Sequence, residues 1–313
     1  MPMRGLLAAG GGVTSALLFL AVIKGQAGGV LLAYLAPMPL FLSGLALGAG
    51  PAAGAAAMGT LLAAAMVNPK AGFVYGLVVA APAVLVVAQA LRWRPDEQGQ
   101  PVWYPAGRIL AWIGAAGVAG LALGMMLAAD PVSELEAQVR RFVEMGVGLM
   151  APDLPEPMRA ELVAMQTPLF PAGAAVGAML MLIANGLAAQ GLLERTGRHR
   201  RGRLDLAGLV LPWGSLAALA MFAAAALLLG EGWRYAARNL AVVAAVPFFF
   251  QGLGVVHTLV RRLANPKLVL AGFYVALVPF FALAALAVTA LGVVECWAGL
   301  RQRVGGPAVK EDG

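Results

Sequence analysis

Few side chains in this sequence are equipped for chemistry, and most of those lie inside long apolar runs. The polar residues within the runs are uncharged: Thr14, Ser15, Ser43, Asn185, Gln190, Ser215, Gln251, Thr258 and Thr289. In hydrocarbon each must find a partner on a neighbouring helix or on a ligand, because water is absent. Asn185 lies deepest. With Gln190 and Gln251 it supplies the amides best suited to hold a small solute, although the same groups also suit bonds between helices. Catalysis has no comparable set. A Ser/His/Asp arrangement needs a histidine beside a serine in an enclosed pocket, whereas His199 and His257 fall at or in polar joints. The sequence has no G-x-x-x-x-G-K-S/T phosphate loop, and no run carries a central pair of ionised residues for a proton or sodium relay. One cysteine, Cys296, and two histidines exclude an internal disulfide and argue against a cysteine- or histidine-rich metal site. No catalytic residue, metal or cofactor is assigned, and the chain reads as a non-enzyme. Glu295, near the end of the last run, reads as interfacial.

Small residues are the other informative set. Ala8, Gly12 and Ala16 recur at every fourth position and form a stripe suited to docking a partner helix. Gly44/Gly48, Gly50/Gly54, Gly120/Gly124 and Gly173/Gly177 are G-x-x-x-G pairs, for which close internal packing is the default reading. Pro82, Pro247 and Pro279 fall inside apolar runs, where a proline frees a backbone carbonyl and kinks the helix. Pro39–Gly44 and Pro247–Gly252 echo one another over six positions, too few to establish an internal repeat.

The elements that must position these residues are membrane spans. The chain of 313 residues is 61% hydrophobic and only 12% charged, against roughly 25% charged residues in an average soluble domain. The apolar runs fall at 6–23, 28–47, 52–67, 72–91, 108–128, 171–193, 207–229, 239–260 and 268–295. Runs of about 20 residues match a bilayer, and helix is the form that satisfies their backbone. The fold class is therefore an all-α polytopic transmembrane bundle of eight or nine spans, a single integral membrane domain over 1–313. The first run is read as an uncleaved span, since Lys24-Gly25-Gln26 follows it in place of a small-residue cleavage site.

The net charge of +7 marks topology and contact with membrane lipids, not nucleic acid, because the basic residues gather in joints. Arg195, Arg198, Arg200, Arg201 and Arg203 place one joint in the cytoplasm, and counting back puts the N-terminus there too. A nine-span count leaves Arg301, Arg303 and Lys310 outside; an eight-span count brings them inside. The one long polar insertion, 130–167, then lies outside. Asp130-Pro131 reads as a helix start, and Val132, Leu135, Val139, Phe142 and Leu149 follow at helical spacing, which makes an amphipathic helix at the outer surface.

Four stretches resemble the YybS-like family of bacterial membrane proteins (domain of unknown function 2232). They are Thr14–Leu20, Pro39–Leu45, Trp103–Arg108, and Pro247–Gly252 running on to Val255-Val256-His257. That resemblance implies a multi-pass membrane protein and assigns no activity. Residues 39–91, with Gly44, Gly48, Gly50, Gly54, Asn68-Pro69 and Gly72-Phe73, are similar to the membrane-embedded substrate-binding (S) subunits of energy-coupling-factor vitamin transporters. This wider resemblance implies capture of a solute from outside and a transmembrane coupling partner with ATPases, docked through Ala8, Gly12 and Ala16. Those subunits usually have about six spans and lack an insertion like 130–167. The expectation is a substrate-binding or transport subunit of the cytoplasmic membrane, with Asn185, Gln190 and Gln251 as ligand contacts. The alternative is a non-transporting scaffold that packs against other membrane proteins.

Overall fold

A computed structural model describes residues 2–24, 27–128, 131–202 and 208–305. Asp130, Arg203 and Lys310 lie outside them. Along the chain come α1 (Pro2–Leu20), α2 (Ala27–Tyr34), α3 (Pro37–Leu47), α4 (Ala49–Met66), α5 (Pro69–Tyr75) and α6 (Ala81–Ala90). A small hairpin of β1 (Trp93–Pro95) and β2 (Pro101–Trp103) follows, pairing Trp93 with Trp103. Then come α7 (Ala106–Ala128), α8 (Leu135–Met150), α9 (Glu156–Gln166), α10 (Phe170–Arg195) and α11 (Trp213–Leu228). The last four are α12 (Glu231–Val260), α13 (Pro266–Leu277), α14 (Phe281–Ala298) and α15 (Leu300–Gly305).

Among the described residues, 8 helical stretches are long and apolar enough to cross a membrane, with α2–α3, α5–α6 and α9–α10 each counted as one. The protein is a multi-pass, all-α membrane protein. Two of the nine sequence-read spans take another form. The run 207–229 yields α11, a helix of 16 residues that starts only after Pro212. At ~1.5 Å per residue it is short of the ~30 Å hydrocarbon thickness. The run 268–295 divides into α13 and α14, because Pro279 has no N–H and its ring opposes a continuing helix. Pro247 behaves differently: α12 runs through it unbroken, and Gly114 on α7 faces its ring where a larger residue would collide. Pro82 takes a third solution. The helix widens into a π-turn over Gly76–Ala80 just before the proline, absorbing the missing donor.

The chain forms two compact units, Met1–Pro105 with Gly173–Arg203, and Ala106–Ala172 with Leu204–Gly313. In the first, α1 packs on α4 at backbone distance: a side chain at Gly12 would strike the Ala55 carbonyl, and one at Gly59 would strike Tyr75. Gly48 joins α3 to α4 with a φ of 119°, a conformation that only glycine adopts freely. In the second unit α12 is the central element, packed by α7, α11 and α14. Gly252 on α12 and Gly292 on α14 meet the backbone of the opposite helix, Gly252 at Val288 and Gly292 at Phe248. Lipid offers apolar helices no hydrophobic gain on pairing, so small residues that admit close backbone contact supply the attraction.

Helix α8 is amphipathic as read, with a different inner face. Leu135 and Val143 are buried and Val139 packs beside Leu135, whereas Phe142 and Leu149 are exposed. The inward stripe thus repeats every fourth residue, and Leu135 rests on Met125, Tyr235 and Ala236. Phe142 instead stacks against Phe170 with ring centroids 5.6 Å apart.

Candidate functional site

Breaks in helices set most of the buried polar chemistry. Between α2 and α3, Pro37 interrupts the ladder, and the amide of Met38 bonds to Leu35, one residue short of the helical partner. The Tyr34 carbonyl is left open. Asn185 on α10 fills it through Nδ2 at 2.7 Å, and the same amino group also reaches Met181 O in its own helix at 2.8 Å. Ser15 on α1 donates to the Ala36 carbonyl at the same break and accepts from the Tyr75 hydroxyl at 2.8 Å. An unpaired backbone group in lipid costs several kcal/mol, so these bonds are structural necessities.

Gln251 does the same work in the other unit. Its Oε1 accepts from the Leu211 amide at 2.7 Å, within the non-helical segment before α11. Its Nε2 donates to the Gly292 carbonyl at 2.7 Å and to Cys296 Sγ at 3.2 Å. Gln190 donates to Glu194 Oε1 at 3.0 Å and to the Arg201 carbonyl at 2.9 Å. Asn185 and Gln190 therefore belong to the first unit and Gln251 to the second, each engaged by protein groups. Asn185 keeps one free atom, its buried Oδ1. The stripe of Ala8, Gly12 and Ala16 is occupied as well: Ala8 and Ala16 are buried, and Gly12 lies against Ala55 of α4.

Three polar groups outside that sequence-read set follow the same rule. Asn239, wholly buried on α12, accepts from the Ala172 amide at 3.0 Å and donates to the Pro168 carbonyl at 3.1 Å. Its position at the edge of an apolar run hid it. Tyr235 one turn earlier donates to Thr167 O at 2.7 Å. Glu295, expected at the interface, is buried: Gly299 caps α14 in the left-handed region, and the reversed chain brings Arg301 Nε within 2.8 Å of Glu295 Oε1. Arg301 also donates to Leu209 O at 2.9 Å, securing the segment that Gln251 holds.

The arginine-rich joint after α10 is built into the first unit. Arg201 is 6% exposed; it donates to Ala90 O at 3.0 Å, at the end of α6, and to Tyr104 O at 2.8 Å, with Trp103 under the guanidinium. Burial pulls this guanidinium below its ordinary value. It remains a cation, as arginine does in proteins. Arg200 donates to Leu47 O at the end of α3 at 3.3 Å. The C-terminal ends of α3, α6 and α10 are thus tied together on one face, where their partial negative charges favour cations.

Gln89 departs from this pattern. It is 4% exposed, on the last turns of α6, and its Oε1 has no partner. It lines a shallow, open surface cavity of about 680 Å³ in the first unit. Ala53, Ala56, Ala57 and Thr60 of α4 form one wall, at spacings i, i+3, i+4 and i+7 that share a helix face. Thr60 turns its hydroxyl to Ala56 O in its own helix, at 2.8 Å, which leaves that wall apolar. The opposite wall includes Gly76 and Ala80 of the π-turn, so the kink at Pro82 shapes the cavity. Arg92, exposed, lines the end beside Gln89. Such an arrangement can bind and orient a ligand; nothing in its lining supplies a nucleophile or a base.

No match was found among curated proteins or among solved structures. A family model described as "Predicted membrane protein (DUF2232)" does match, over residues 13–295, a stretch that takes in both units, the cavity and every helix break described above. The chain belongs to that family of predicted membrane proteins.

Proposed function

We propose that this protein is the membrane-embedded binding component of a transport system, and that it holds a small solute in the cavity between α4 and α6. The observation that carries this reading is the unpartnered Oε1 of Gln89. The amides of Asn185, Gln190 and Gln251 bond to backbone groups at helix breaks and joints, whereas the oxygen of Gln89 is buried without a protein partner in a residue that lines the cavity. A buried acceptor without a partner costs ~1–3 kcal/mol, a cost that a ligand's donor removes. The protein carries no phosphate loop, which suits a division of labour with separate ATPases. Asn185, whose Oδ1 is likewise buried without a partner, belongs to the same unit and does not line this cavity. On this reading that face and the N-terminus are cytoplasmic, which the arginines of the joint after α10 support.

Uptake by proteoliposomes that contain the full chain and its co-purified partners tests the proposal. Accumulation of a solute that raises the melting temperature of the protein alone supports it. Absence of both an ATPase partner and any stabilising solute overturns it.

A further inference from the structure

We infer that α8 is a membrane-interface helix, whose exposed apolar stripe enters the lipid leaflet at the end of the second unit that α8 covers. Its apolar surface is wider than the seat beneath it. Leu135, Val139 and Val143 take that seat. Phe142, Met145 and Leu149 form a second line at i, i+3 and i+7, about a quarter-turn further round at 3.6 residues per turn. All three are exposed, at 61%, 66% and 79%. Glu136, Arg140 and Glu144 lie on the opposite arc, and the last two pair with each other at 3.0 Å. A helix with that distribution lies in an interface, its charges toward water and its apolar face in the acyl boundary.

The depth of α8 identifies the occupant. Leu135 rests on Met125 near the end of α7, and on Tyr235 and Ala236 near the start of α12. Phe142, about 10 Å further along α8, meets Phe170, the first residue of α10. These span ends are level with one another where α10 begins, since Tyr235 donates to Thr167 O and Asn239 accepts from the Ala172 amide. Two contacts so far apart on α8, taken at one depth, lay the helix across the span ends and not along their axes. Trp233, exposed on the first turn of α12, marks that depth as an aromatic interface residue does. A stripe turned sideways from the seat at this level meets acyl chains just below their headgroups. Arg141, exposed four residues before Met145, stands at the edge of the stripe where a lipid phosphate lies.

Spin labels on the full chain in phosphatidylcholine liposomes, in a Cys296→Ala background, test this. Labels at Met145→Cys and at Leu149→Cys should collide several-fold more often with oxygen, which concentrates in lipid, than with a water-soluble nickel chelate. A label at Ala137→Cys, exposed on the polar arc, should show the reverse. Nickel access at Met145→Cys and Leu149→Cys equal to that at Ala137→Cys overturns the proposal. So does protection of both labels from both reagents, which dipolar broadening between labels would assign to contact between copies of this chain.

Discussion

Glu295 and Arg301 form the ion pair whose loss should be felt most, because both side chains are nearly out of solvent, at 6% and 10% exposure. Removing one partner of a buried pair typically costs ~3–5 kcal/mol, mainly by stranding the other charge. Glu295→Leu should therefore lower the thermal midpoint strongly, and the double variant Glu295→Leu/Arg301→Met should recover much of the loss. A double variant no more stable than the single one would contradict the assignment of that loss to a stranded cation. At this scale the sequence was partly legible. Asn185, Gln190 and Gln251 stood out as amides in apolar runs. Their partners did not, because those partners are carbonyls and amides released at breaks whose position depends on the folded chain. Gln89 was overlooked for a related reason: lying three residues before Arg92, it has the look of a span end meeting water.

At the scale of elements, the stripe on α1 makes a directional prediction. Gly12→Val should unseat α1 from α4, since even a Cβ collides with Ala55 O, whereas Gly10→Val on the same helix meets nothing within 4 Å. Melting curves in detergent should show a clear loss for the first and little change for the second; equal losses would mean that helix propensity, not packing, governs both. The small-residue pattern was readable from its four-residue spacing, but not which surface it meets, because one stripe serves a partner and a neighbouring helix equally well. Proline was read less completely. All three mid-span prolines signalled irregular helix, yet one is accommodated by Gly114, one by a π-turn and one only by ending the helix. That choice rests on the space around each ring, which no local pattern encodes.

For the whole molecule, apolar run length alone established the class, since lipid permits few spanning forms. Orientation is a separate matter carried by charge. In a Cys296→Ala background, Gln98→Cys in the hairpin should react with a membrane-impermeant maleimide only from the cytoplasmic side, and Lys70→Cys, at the far end of the span that leads into the hairpin, only from outside. Both residues are exposed and lie in one unit. The reverse pattern would invert the topology drawn from the arginines of the joint after α10.

Buried amides here serve broken backbone, whereas the Gln89 oxygen is left without a protein partner. Parallel thermal unfolding of purified, lipid-free Gln89→Leu and Gln251→Leu tests that division most directly. Gln251→Leu strands the Leu211 amide, while Gly292 O keeps its helical partner in α14, and should destabilise by ~1–3 kcal/mol. Gln89→Leu should melt at or above the parent. Comparable destabilisation by both would show that Gln89 has a structural partner after all, and would contradict the claim.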